Sequence, residues 1–225
     1  MPKQAVDLRE WASPVEEQWQ LGSCTAQAVI GAYELLTKMH YPDQAVDLSR
    51  LFLYYNARKI AGDIEEDVGA YVSTAIEAIK LYGLCREDLW PYDAGRFKVE
   101  PGYKCYRDAK KRSVTNVREV TSHDMIIDML DRQYPVVVGV AVYSGFDSID
   151  NQTTTLKMPM TAEEPIGSHA MCIVGYNDAR QAFLLRNSFG DDWGEGGYFW
   201  VPFVYADENF SDMWTFDVKL NGINS

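Results

Sequence analysis

"HAMCIVGYNDARQAFLLRNSFGDDWGEGGYFWVPF", His169 to Phe203, is the stretch whose reading decides the architecture. Three short apolar runs lie in it, HAMCIVGY, QAFLLRNS and GGYFWVPF, separated by clusters of Asn, Asp and Gly. Runs of that length with such punctuation read as strands joined by tight turns. Upstream, YPVVVGVAVY (134–143) is continuous and β-branched, as expected of a strand covered on both faces. Downstream, MWTFDVKL (213–220) is a further strand candidate. A short helix capped by Ser122 (SHDMIIDMLDRQ) precedes the set.

The first half has the other periodicity. After Ser23, an N-cap residue type, Val29, Tyr33, Leu36 and Met39 recur at helical spacing while Glu34 and Lys38 fall off that line. LSRLFLYYNARKI (48–60) reads as a second helix. DVGAYVSTAIEAIKLYG (67–83) reads as a third, with a Val72, Ile76, Ile79, Tyr82 stripe and Gly83 as its stop. WPYDAGRFKVEPGYKC (90–105) reads as loop, and FDSIDNQTTTLKMPMTAEEPIGS (146–168) as a polar surface hairpin or loop, too long and polar to be core. Helices followed by strands give an α+β protein of two lobes within one domain, 1–225. The helical lobe runs from about Ala12 to Arg112 and the β lobe from about Ser113 onward, with an N-terminal strand crossing to the β lobe.

Composition narrows the function classes. The 225 residues are 47% hydrophobic, enough for a sizeable core, and 33 acidic against 21 basic residues leave a net charge of −12. That charge repels phosphate backbones and anionic membranes, so nucleic acid is not an expected partner. No apolar run approaches the roughly 20 residues of a membrane span, so membrane insertion is not expected. Residues 1–10 lack a signal peptide's apolar segment, and nothing near the start reads as a pro-segment; an open cleft is the expectation. Whether a signal or pro-segment once preceded Met1 stays open, as does the compartment. The spacing of Cys24, Cys85, Cys105 and Cys172 fits no zinc pattern, so no metal and no cofactor is expected.

One cysteine stands apart. Cys24 sits where a polar loop becomes a helix, and the positive end of the helix dipole favours a thiolate there. A nucleophilic thiol also needs a base, a group that orients the base, and donors for an oxyanion. His169 stands at the entrance of a buried strand, Asn187 ends the next one, and Gln18 lies six residues before Cys24 in a loop leading to the helix. His40 and His123 lie at helix ends without a neighbouring nucleophile, and Cys172 reads as inert core. Asn151-Gln152-Thr153 and Asn209-Phe210-Ser211 fit the glycosylation pattern, which has meaning only after secretion.

With these residues in view the chain resembles the papain-like (cathepsin-type) cysteine peptidases, in a divergent and bacterial-looking branch. QWQLGSCT (Gln18–Thr25), HAMCIVGY (from His169) and NSFGDDWGEGGY (Asn187–Tyr198) are similar to the family's three motifs, in the same order. GAYVSTAIEAIKLYG and EDLWPYD resemble its substrate-binding helix and following loop. The resemblance implies a two-lobed fold, a helical lobe and an antiparallel barrel-like β lobe, with the cleft between them. It implies an endopeptidase with Cys24 as nucleophile, His169 as base, Asn187 as its orienter and Gln18 in the oxyanion hole. Its partners would be protein or peptide substrates, and a pro-segment or proteinaceous inhibitor could occupy the cleft.

The resemblance further implies a substrate site of Gly69, Ala70, Tyr71, Gly139, Gly167 and Ser168, with its far end near Met213. No acidic residue is assigned there, so bulky apolar side chains are expected to be preferred over Arg two residues before the scissile bond. Trp193 would stand on the leaving-group side, and Phe189 and Ser188 would support the site. Leu21 and Asp67 stand at or near positions where the family has a bridged cysteine pair; Thr25 and Phe189 replace its usual aromatics. Cys85 and Cys105 flank the WPY loop, and a disulfide between them stays open. Two other functions use the same frame: an acyltransferase or amide ligase resolving the same thioester, and a non-catalytic binding module.

Overall fold

The computed structural model describes residues 3–222, so the outermost residues of the span 1–225 lie outside the described residues. Among the described residues, six α-helices and seven strands alternate with short 3-10 turns. The helices are α1 (Cys24–His40), α2 (Arg50–Ala61), α3 (Val72–Tyr82), α4 (Tyr103–Ala109), α5 (His123–Asp131) and α6 (Phe203–Asn209). The strands are β1 (Ala5–Asp7), β2 (Arg112–Val120), β3 (Val136–Val142), β4 (Gly167–Asn177), β5 (Ala182–Arg186), β6 (Tyr198–Pro202) and β7 (Phe210–Leu220).

α1 is the axis of the molecule. It packs on α2 and α3 on one side and on β4 on the other, so every residue from Thr25 to Thr37 is buried. The sequence predicts an amphipathic helix with Glu34 facing out; Glu34 is instead 6% exposed. It is tolerated because Arg50 of α2 pairs with it at 2.8 Å, and Ser13 Oγ and the Leu48 N–H donate to its two oxygens. Burial still pushes the Glu34 carboxyl above its ordinary range, against the opposing pull of Arg50. α3 ends as expected at Gly83, whose φ of 81° and close approach to the Ala109 carbonyl, 1.9 Å from where a Cβ would sit, admit only glycine.

The sheet runs in the order β2-β7-β3-β4-β5-β6, with β1 added on β4. All its pairings are antiparallel. β1 is the crossing N-terminal strand, Ala5 facing Asn177 and Asp7 facing Gly175. β4 lies between β3 and β5 with Ala170 to Tyr176 buried, and its register sets Val140 opposite His169 and Gly139 opposite Ala170. His169 thereby sits at the first half-buried position of an otherwise rigid strand.

The sequence reading missed β2, α4 and α6. β2 lies at the sheet margin, pairs only with β7 and carries a bulge between Thr115 and Arg118, so it shows no continuous apolar run. α4 closes the segment read as loop and buries Cys105 and Ala109 through about two turns of helix, too short for periodicity to register. The 146–168 segment is also not wholly surface: Phe146, Ile149 and Leu156 are buried, spaced among polar residues that hide the signal.

Candidate active site

Cys24 is the first residue of α1 and is half-buried. Ser23 occupies the N-cap position but does not cap: its hydroxyl lies 2.6 Å from the Tyr92 hydroxyl instead. The first-turn N–H groups of α1 are therefore left uncapped beside the thiol, and the positive end of the helix faces it.

His169 comes from β4 and Asn187 from the residue after β5. The His169 Nε2 lies 2.7 Å from Asn187 Oδ1, which also accepts the Ser188 N–H at 2.8 Å. Asn187 is buried, and its Nδ2 finds no partner. That polar pair is sheltered by aromatics. The Phe189 ring stacks on the imidazole at 5.1 Å, Phe146 meets it edge-on at 6.0 Å, and Trp193 packs on both Phe146 and Phe189.

The electrostatics follow from this packing. Burial opposes ionisation of the Cys24 thiol, yet the hydrogen bond and charge of His169, with the Ala170 N–H, hold it below the usual thiol range. Burial equally opposes a charged His169, but hydrogen bonding and charge from Cys24, and the Asn187 oxygen, hold it above the usual imidazole range. The two shifts favour the thiolate–imidazolium pair. Cys172, three residues along β4, goes the other way: complete burial pushes its thiol up to about 12, against a small opposing effect of Arg186.

Gln18 is buried in the loop before α1. Its Oε1 accepts from Ser188 Oγ and its Nε2 donates to Leu21 O at 3.0 Å, leaving one amide hydrogen free. Its carbonyl accepts from the Tyr92 hydroxyl at 2.9 Å. Ser188 thus holds Gln18 through its hydroxyl.

A cavity of about 590 Å³ opens beside Cys24 and His169. Of the expected substrate-site residues, Gly69, Ala70, Tyr71, Gly139 and Ser168 line it. Gly167 and Trp193 do not: Gly167 is exposed at the start of β4, and Trp193 stands among the aromatics behind His169.

The far end is formed by Ser211 and Asp212 rather than Met213, and the expectation of no acidic residue is corrected: Asp63, Asp67 and Asp212 all line the cavity. Asp212 has a φ of 47° near the start of β7, and that left-handed residue turns its own side chain to the cavity. Its carboxylate accepts Val72 N–H at 2.6 Å, Ser73 N–H at 3.3 Å and Trp214 Nε1–H at 2.6 Å. A strand residue thus caps the N-terminus of α3, across 140 positions of sequence. No local signal announces such a cap.

The remaining cysteines are all free thiols: Cys85 and Cys105 are both buried and unbridged. Burial and the neighbouring Cys105 push the Cys85 thiol well up. Among the described residues no group of three or more His, Cys, Asp or Glu is placed to hold a metal ion, and no helix is long and apolar enough to cross a membrane.

This arrangement of helix-borne cysteine, strand-borne histidine and asparagine resembles the site of a thiol hydrolase. The sequence profile of the papain family of cysteine proteases matches residues 2–209, and the chain belongs to that family. It is 40% identical over 210 residues to an uncharacterised peptidase C1-like protein of Acanthamoeba polyphaga mimivirus, covering 88% of this chain and 68% of that one. Falcipain-3 of Plasmodium falciparum is 23% identical, and the match covers 85% of this chain but only 39% of falcipain-3. Among solved structures, xylellain, a cysteine protease from Xylella fastidiosa, superposes with a TM-score of 0.89 at 30% identity, over 96% of this chain and 87% of that one. The cysteine protease of Carica candamarcensis in complex with E-64 shares the fold, with a TM-score of 0.73 at 20% identity over 96% of this chain and 99% of that one.

Proposed function

We propose that this chain is a cysteine endopeptidase acting through Cys24, His169 and Asn187. The observation that carries the reading is the pair of opposed shifts, a lowered thiol and a raised imidazole, in a site open to a cavity. The Cys24 thiolate attacks a peptide carbonyl, and the Cys24 N–H with the free Gln18 amide hydrogen stabilises the oxyanion. His169 gives its proton to the leaving amine, forming an acyl-thioester; it then takes a proton from the attacking water, and expulsion of the thiolate releases the acid and restores the thiolate–imidazolium pair. Asn187 keeps the imidazole turned toward Cys24 throughout.

The substrate residue two before the scissile bond enters the cavity among Ala70, Tyr71, Val72 and Gly139. Because Asp212 is already bonded to three N–H groups, its charge is partly spent, and the apolar walls set a preference for Leu or Phe over Arg of about 1 kcal/mol. The test is turnover of peptide amides combined with mass spectrometry after a peptidyl epoxide. Hydrolysis with modification at Cys24 supports the proposal. Labelling at another cysteine, or transfer to an added amine in preference to water, overturns it.

A further inference from the structure

Cys24 is flanked by a set of hydrogen bonds that the catalytic reading leaves unused. The Gly22 N–H, two residues before it, points between both oxygens of Asp67, at 3.0 Å from each. The buried Tyr54 donates its hydroxyl to the same carboxylate and accepts the Gly69 N–H at 3.2 Å. One residue after Cys24, Thr25 Oγ1 donates to the Ala70 carbonyl at 2.6 Å. The segment 67–70, which walls the cavity, is therefore bonded on both sides of the nucleophile to the chain that carries it.

The close approach has a steric requirement. A Cβ on Gly22 would lie 2.9 Å from Asp67 Oδ1, and 3.4 Å from both the Gly69 nitrogen and the Tyr54 hydroxyl. Only a bare α-carbon lets the carboxylate reach the peptide N–H.

We propose that Asp67 is a positioning residue for the oxyanion site: by holding the Gly22 N–H, it fixes the Gly22-Ser23-Cys24 backbone, and with it the Cys24 N–H, against the wall that holds the substrate. The geometry couples two things that a thioester mechanism must align, the donor to the developing oxyanion and the cavity wall at Gly69. A carboxylate suits the task because it accepts two donors at once, the Gly22 N–H through both oxygens and the Tyr54 hydroxyl through one. This inference rests on Cys24 being the nucleophile, and not on which acceptor resolves the acyl intermediate.

The test separates donor alignment from thiol activation. In Asp67→Ala, kcat for a peptide amide falls about 10- to 100-fold, the scale of a misplacement near 1 Å, and affinity for a peptide aldehyde, whose hemithioacetal oxygen occupies the oxyanion site, falls in parallel. The rate and pH profile of Cys24 reacting with dipyridyl disulfide stay at the wild-type level. Asp67→Asn, which keeps an acceptor for the Gly22 N–H, recovers most of the loss. Tyr54→Phe, which leaves the Gly22 contact intact, gives a smaller loss of the same kind and serves if the alanine variant does not fold.

Unchanged kcat and aldehyde affinity in a folded Asp67→Ala protein would overturn the proposal, as would an equal loss of disulfide reactivity. Wild-type protein that reacts with dipyridyl disulfide but cleaves no peptide amide would sink the peptidase reading instead. Aldehyde affinity still decides the role of Asp67 in that case.

Discussion

The two sides of His169 are built by different physics. On the cavity side, backbone N–H groups donate to carboxylates: Gly22 N–H to Asp67 ties segment 67–72 to the loop before α1, and Val72 N–H to Asp212 ties it to 211–212. On the other side, Phe146, Phe189, Trp193 and Phe199 pack at centroid distances of 5.2 to 6.1 Å with no polar contact among the rings. The first wall is directional and wet, suited to reading a side chain. The second is dry and non-directional, suited to keeping water off the His169–Asn187 bond.

The comparison breaks outright if neither wall serves a thiolate. Cys24→Ala is expected to reduce peptide-amide turnover by about 10⁴-fold or more, measured with the parent protein run alongside; near-parental activity would end the assignment. A subtler test is directed at the dry wall. Asn187→Ala leaves the base in place but unoriented, so kcat should fall about 10- to 100-fold. The pH–rate profile should also change shape. Its acid limb, set by the Cys24 thiol, lies below the usual thiol range, and its alkaline limb, set by loss of the His169 proton, lies above the usual imidazole range. Removing the Asn187 oxygen takes away one of the causes that raise His169, so the alkaline limb should move to lower pH while the acid limb moves less.

Phe189→Ala opens the dry wall to water without touching a reacting atom. The expected loss is about threefold to tenfold in kcat, the worth of an aromatic contact, with little change in KM; a loss in KM alone would place Phe189 in substrate binding. The smallest effect belongs to the wet wall. Asp212→Asn should widen the preference for Leu over Arg by less than about tenfold in kcat/KM, because one charge partly neutralised by N–H donors is being removed. If Arg substrates are cleaved faster than Leu substrates by the parent protein, the carboxylate governs the cavity and the apolar walls do not.

The same contrast explains what the sequence could tell. The residues gathered beside Cys24 were legible where they lie in contiguous motifs: His169 opens a buried strand, and Asn187 and Phe189 fall within one turn-rich stretch. Of the dry wall, Phe146 was hidden in a segment read as polar surface and Trp193 was expected on the leaving-group side. The wet wall was legible only where a helix start is marked, at Gly69, Ala70 and Tyr71. Asp212 was missed in favour of Met213 because a single left-handed residue exchanges which side chain faces the cavity, and a strand pattern has no symbol for that. Ser23 is an N-cap residue type, but its hydroxyl is taken by Tyr92, a partner 69 positions away. Glu34 is off the apolar line of α1 yet buried, because its counter-charge comes from another helix. In each case the deciding partner is distant in sequence, and local periodicity carries no record of it.

The four unbridged sulfurs have a consequence for handling. A thiol nucleophile must be kept reduced, and a frame without cross-links loses nothing when reductant is abundant. Cys85, Cys105 and Cys172 are sealed in the interior, whereas Cys24 is half-buried, lines the cavity and has its thiol held below the usual range. Oxidants and alkylating reagents should therefore find one target, and the loss of function under peroxide should follow a single sulfur climbing from thiolate to sulfenic acid and beyond. Counting reactive thiols in the native protein should give one fast equivalent, with the rest appearing only on unfolding.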